Sequence, residues 1–184
     1  MKKLISILTF SLLLIVLFGA LYPVMILGVA QFAPNQGKGE TIQVKGKTVG
    51  YKNLGQNFDQ PNYFWGRPSA IDYKTDGSAG SNKGPTNPDY LKQEKERLDH
   101  FLKAHPYLKK GDVPSELITA SGSGLDPDIT PQGALIQVKR IAKARNLSEE
   151  KIIQLVKSKI NQTKLIGTPT VNVLELNIAL DQLK

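Results

Sequence analysis

"LISILTFSLLLIVLFGALYPVMILGVA", residues Leu4 to Ala30, runs for 27 residues without a charged side chain. As an α-helix rising about 1.5 Å per residue it reaches roughly 40 Å, more than the roughly 30 Å hydrocarbon core of a bilayer. A cleaved signal peptide is the rival reading, because Lys2 and Lys3 make a basic start and Gly28 with Ala30 offers a small-residue cleavage site. Signal peptides, however, carry roughly 7 to 15 apolar residues, and this stretch is nearly twice the upper figure. It is therefore expected to remain as a membrane anchor. Pro23, with Gly19 and Gly28 near it, is expected to kink or thin the outer half and let another helix approach, although membrane helices also tolerate both residues.

Lys2 and Lys3 are the only charges before Lys38, and basic residues flanking a span tend to stay in the cytoplasm. The expected layout is a cytoplasmic N-terminus over residues 1–3, a transmembrane helix over 4–30 and an extracytoplasmic soluble domain over 31–184. The chain has 184 residues, no cysteine and a formal charge of +8; without the two N-terminal lysines the exported part stands at +6. That balance suits solubility first, and a membrane surface or acidic partner second.

Beyond the anchor, "TIQVKGKTVGY" (41–51) alternates apolar and polar residues around Lys45-Gly46-Lys47 and reads as a β-hairpin. "NYFWGRPSAIDY" holds the only tryptophan, Trp65, beside Arg67. Its aromatics are expected in the core, with a cation–π binding platform as the alternative. "KTDGSAGSNKGPTN" (74–87) is a loop by composition. Asn87-Pro88-Asp89 then starts a helix that runs to about His105, before Pro106. Leu91, Leu98, Phe101 and Leu102 form its apolar stripe, and Lys92, Glu94, Lys95, Glu96 and Arg97 a solvated charged face.

"ITASGSGLDPDITP" (118–131) follows an apolar, strand-like run and reads as a tight turn, with φ > 0 expected at Gly122 and Gly124. Thr130-Pro131 begins a helix to about Arg145, with Leu135, Val138, Ile141 and Ala142 at helical spacing. Ser148 caps the next, whose apolar face is Ile152, Val156 and Ile160. Between Pro131 and Lys164 there are eight basic and two acidic residues, so these helices are expected to present a basic surface. "GTPTVN" (167–172) turns the chain, and Val173, Leu176, Leu180 and Leu183 mark a final helix. The expected fold class is α+β: one N-terminal transmembrane helix followed by one compact extracytoplasmic domain, large enough to fold without disulfides.

Several chemistries find no support. There is no G-x-x-x-x-G-K-[ST] phosphate loop. Gly122-Ser123-Gly124 begins a G-x-G-x-x-G pattern, but Pro127 takes the third glycine's place and Asp126 and Asp128 put negative charge where a phosphate would sit. A backbone nest for an anion stays open. No G-x-S-x-G elbow surrounds Ser121 or Ser123. His100 and His105 lie five apart, off the i,i+4 spacing of helical zinc ligands, and "DPD" does not continue as a calcium loop. No directly bound metal is expected, and nucleic-acid binding is not expected of an exported domain.

Taken in order behind one span, "YFWGRPSA", "GSNKGPTNP", "VPSELITASGSGLDPDITPQGALIQVKRIAKAR" and "GTPTVNVLELNIALDQL" resemble the C subunit of the bacterial Kdp potassium-transporting ATPase over essentially the whole chain. The resemblance implies a bacterial cell membrane and a complex with a channel-like potassium-translocating subunit (KdpA), a P-type ATPase subunit (KdpB) and a small peptide subunit (KdpF), surrounded by membrane lipid. The partners would hydrolyse ATP and carry potassium, and no cofactor would be bound directly by this chain, which lacks D-K-T-G. It implies one of two roles. In the first the subunit supports assembly and caps the outer entrance of the channel-like subunit. In the second it is a catalytic chaperone that raises the ATP affinity of the ATPase subunit, with Ser121, Gly122, Ser123, Gly124 and Gln137 near nucleotide. An outer domain meets no cytosolic ATP, which favours the first. Basic helices at the entrance would repel potassium, so they are expected to face away from it, with Asp126 and Asp128 as candidates for facing it. A stand-alone, membrane-anchored surface-binding protein is the remaining alternative.

Overall fold

The computed structural model describes residues 1–162 and 167–183, in two units divided between Glu40 and Thr41. In the first unit an uninterrupted helical run covers Lys2–Ala30, long and apolar enough to cross a membrane. It consists of α1 (Lys2–Val16), a π turn (Leu17–Leu21) and α2 (Tyr22–Ala30). Pro23 has no amide to give to the carbonyl one turn back, and the turn before it widens until the Tyr22 amide donates to the Leu17 carbonyl, five residues back.

The second unit opens with the hairpin β1 (Thr41–Val44) and β2 (Lys47–Tyr51), antiparallel with Val44 opposite Lys47. Lys45 and Gly46 both have φ > 0 (50° and 77°), as a two-residue turn matching the strand twist requires. Helix α3 spans Pro88–Ala104, and the Asn87 side chain accepts from the Asp89 and Tyr90 amides. Leu98 and Phe101 are buried as expected, whereas Leu91 is half exposed and outside the core.

A three-stranded antiparallel sheet orders β3 (Asp128–Ile129), β5 (Thr170–Asn172) and β4 (Ile160–Asn161) with β5 in the middle. Helices α4 (Pro131–Leu135), α5 (Val138–Arg145), α6 (Glu149–Ser158) and α7 (Val173–Leu180) complete it. Ile129, Ile141, Ile152, Val171, Leu176 and Leu180 are essentially solvent-free at its centre. The expected α+β class, a single apolar helix ahead of a sheet-containing domain, is what the chain forms.

Four local expectations need correction. The run ahead of the 118–131 turn forms two 3₁₀ turns, Lys110–Asp112 and Ser115–Leu117, rather than a strand. The helix expected from Pro131 to Arg145 breaks at Ile136–Gln137, because the Gln137 side-chain amide donates to the Gly133 carbonyl while its backbone amide donates to Ala134. Ile160 leaves α6 for the sheet, and "GTPTVN" supplies β5 rather than only a turn. Lys164, at the end of the basic stretch, lies outside the described residues.

Candidate functional site

The part of the domain that carries most of its polar machinery is the segment between β2 and α3, residues 52–87, which contains no helix or strand. Helix side chains hold this strap by its backbone. Asn177 in α7 accepts from the Phe64 amide (2.8 Å) and donates to the Phe64 carbonyl (3.0 Å). Gln137 does the same for Trp65, at 2.8 and 3.1 Å. Arg145 Nε donates to the Asn62 carbonyl at 2.7 Å, and the Asn172 amide to the Lys52 carbonyl at 2.8 Å. Backbone groups that would otherwise be buried without partners are thereby satisfied.

Arg140 is the centre of this arrangement and is almost completely buried. Its guanidinium donates to the carbonyls of Pro61 and Tyr63, to Gln137 Oε1 (2.8 Å) and to His105 Nε2 (2.9 Å), and lies 4.3 Å from the Trp65 ring. Burial lowers its pKa to about 10, so it stays cationic at neutral pH. His105, with 0 % exposure, has Nδ1 2.7 Å from the Phe101 carbonyl. With Nε2 accepting from Arg140, the ring is the neutral Nδ1–H tautomer. Burial, reinforced by Arg140 and opposed by the Phe101 hydrogen bond, pushes its pKa down to about 4. Trp65 is partly buried, its cation–π partner is Arg140 rather than Arg67, and His100 stacks on it at 5.5 Å. A cavity of about 420 Å³ lies beside it, lined also by Arg67, Tyr73 and Arg97.

The serine–glycine loop docks against the other end of the strap. The buried Ser121 donates its amide to the Pro68 carbonyl; the Ser123 carbonyl accepts from the Ala79 amide and Ser78 hydroxyl; the Gly124 carbonyl accepts from Ser69 Oγ at 2.7 Å. Only Gly124 has positive φ (69°). A Cβ there would stand 2.6 Å from Ile71 Cγ1 and 2.8 Å from the Ala79 carbonyl oxygen, whereas one on Gly122 meets nothing. The expected left-handed Gly122 is thus corrected: the turn bends at Gly124, where Ile71 and Ala79 of the strap leave no room for a Cβ. Gly124→Ala should lower stability by about 2 kcal/mol, from the left-handed penalty plus overpacking, and Gly122→Ala by less than about 0.5 kcal/mol. Urea unfolding of the two variants checks the difference.

Of the carboxylates in this loop, Asp126 pairs with Arg67 at 2.9 Å and accepts from the Asp128 amide. Burial raises the Asp128 pKa, with Asp126 adding to it and Asn172 and Thr170 opposing. Tyr73, whose hydroxyl donates to the Arg67 carbonyl, is pushed up to about 12 by burial and then by Asp126. The site residues named from the sequence therefore fall in two places. Ser121 to Asp128 form one docked loop, while Gln137 uses Trp65, Gly133 and Arg140 and belongs to the other network. Among the described residues no group of three His, Asp or Glu side chains is placed to share an ion.

The basic surface expected of α4 to α6 is carried by the exposed Lys139, Lys143, Lys151, Lys157 and Lys159, whereas Arg140 is internal and Arg145 spends its guanidinium on Asn62 and Asp181. Arg140, His105 and Asn177 are the residues that sequence reasoning missed. In sequence Arg140 is one more cation in a basic run, and only its near neighbours Val138 and Ile141 hint at the core.

An α+β domain that follows one apolar helix, its buried polar side chains committed to fixing a strap and a loop, defines the class of protein. Comparison with known proteins narrows this. Residues 4–182 match the family model described as KdpC, K+-transporting ATPase, c chain, and the chain belongs to that family. It is 63% identical over 184 residues to the potassium-transporting ATPase KdpC subunit of Flavobacterium psychrophilum, covering all of both chains. It is 49% identical over 189 residues to the subunit of that name in Bacteroides fragilis, covering 100% of this chain and 99% of the other. A third relative so named, from Caldanaerobacter subterraneus, is 43% identical over 174 residues, covering 93% and 90%.

Proposed function

We propose that this chain is the accessory C subunit of an ATP-driven potassium-uptake complex, anchored in the cell membrane with its N-terminus inside and its domain outside. There it supports assembly with the channel-like, ATPase and small peptide subunits and caps the outer entrance of the channel-like subunit. ATP hydrolysis and potassium movement belong to the partners.

One observation carries the preference over direct nucleotide contact. Gln137 has 0 % exposure, and its side chain is bonded to Trp65, Gly133 and Arg140, so reaching a nucleotide would dismantle the strap. In the serine–glycine run only Gly122 and Ser123 are exposed, and two such positions make no phosphate cradle. Any effect on ATP affinity then passes through the transport-state equilibrium of the complex. Asp126 and Asp128, engaged with Arg67 and with strand β5, meet a partner as a fixed edge of the docked loop.

The absence of cysteine allows a direct test. Ser123→Cys in the co-expressed complex should react with a membrane-impermeant maleimide on intact cells to the level of a denatured control. Labelling only after the membrane is opened, with a separate outer tag reporting normally, would reverse the topology and revive the nucleotide reading.

A further inference from the structure

The buried guanidinium of Arg140 has a property its hydrogen bonds leave uncorrected. All four of its partners are uncharged, and among the described residues no carboxylate pairs with it. A buried cation held only by neutral groups keeps its charge uncompensated, and its field extends to the nearest opening. That opening is a groove of about 990 Å³ between the end of α3 and the face of α5. Lys103 comes to it from the last turn of α3, Lys139 from the first turn of α5 and Lys143 from the turn after, against the single lining carboxylate of Glu149. Lys139 Nζ stands 5.2 Å from the centre of the Tyr107 ring.

Helices α4 and α5 have no acidic residue in their first turns. Helices α3, α6 and α7 carry Asp89, Glu149 with Glu150, and Glu175 in their first turns, as the partial positive charge of an amide terminus favours. Helix α5 has no acid there and carries Lys139 and Arg140 instead. The buried guanidinium and the rim lysines therefore add in one place. Between the cations the lining is apolar, from Pro106, Ala144 and Leu147.

From these observations we infer that the α3–α5 groove is a docking site for an acidic turn of a partner polypeptide, its carboxylates met by the three lysines and an apolar side chain by the groove wall. This extends the proposed function and rests on it: the partner is another subunit of the complex. It also gives the basic face a role away from the potassium entrance. Charge complementarity of this kind fixes partner choice and register more than raw affinity.

The test uses the purified complex with p-benzoylphenylalanine in place of Ala144, an exposed groove residue, and maps the photocrosslinks by mass spectrometry. The expected result is one crosslinked segment of a partner subunit bearing at least two Asp or Glu residues. Its yield should fall at least fivefold in Lys103→Glu/Lys139→Glu/Lys143→Glu, and stay within a factor of two in Lys92→Glu/Lys95→Glu/Lys157→Glu, which changes net charge equally. Crosslinks to lipid alone, to a segment without acids or to nothing would overturn the inference, as would equal loss in both triples. The crosslink map requires no charge variant, so a triple that misfolds leaves it decisive. Failure of the unsubstituted chain to co-purify with partner subunits would instead remove the proposed function, and the groove assignment with it.

Discussion

Replacing Arg140 with methionine is expected to lower stability by about 4 kcal/mol, seen as a fall of more than about 10 °C in the unfolding temperature of the intact chain in detergent. The side chain joins α5 to the strap at two carbonyls, to Gln137 and to His105. Methionine fills similar space and donates to none of them. Each stranded acceptor costs on the order of 1 kcal/mol or more, and the lost stacking on Trp65 adds roughly another 1 kcal/mol. Relief from burying a charge works in the opposite direction and holds the net loss near the lower end of that sum. Arg140→Lys separates charge from shape. It keeps the cation, but one ammonium cannot span four divergent acceptors, so it should retain less than half of the lost stability. A Lys variant as stable as the original would mean that charge alone is sufficient and that the fork holds nothing together. Lys139→Met, one residue earlier and exposed, should change stability by less than about 1 kcal/mol.

That adjacent cations differ so much marks the boundary of what the sequence discloses. Features written in neighbouring residues were readable: the Lys45-Gly46 turn, the caps at Asn87, Thr130 and Ser148, and the apolar spacing of α7 all form. Each is a bond or contact within four positions, so its signature is local. The strap is different in kind. Its hydrogen bonds join residues as far apart as Phe64 and Asn177, or Trp65 and Gln137, and the segment has neither period to be recognised. The same distant partner explains the break before α5, since Gln137 turns to Trp65 as well as to its own helix. Strands β3, β4 and β5 hold two or three residues each, too short to show alternation. For the site, local reading grouped Ser121, Gly122, Ser123 and Gly124 correctly as one turn, but placed the bend at two glycines where contact with Ile71 and Ala79 dictates one.

Acidification should weaken the fold through His105 before the carboxylates respond. The ring is buried in its neutral form, between the Phe101 carbonyl on Nδ1 and the Arg140 N–H on Nε2, with Trp65, Phe101 and Tyr107 around it. A proton on Nε2 would remove the acceptor and set two cations against each other. Its pKa is about 4 in the fold, against 6.5 for an ordinary histidine, so the unfolded chain takes up the proton first. Stability therefore falls as pH drops below about 6.5 and stops falling from this source below about 4. At about 1.36 kcal/mol per unit the whole interval approaches roughly 3 kcal/mol, and about 2 kcal/mol is lost by pH 5. Asp128, whose pKa burial raises, acts in the opposite sense because its folded form binds the proton first. Urea midpoints at pH 7, 6 and 5 should decline for the unsubstituted chain. His105→Gln, which can donate to Phe101 and accept from Arg140, should start lower and run nearly flat. An equal slope in both would assign the acid sensitivity elsewhere.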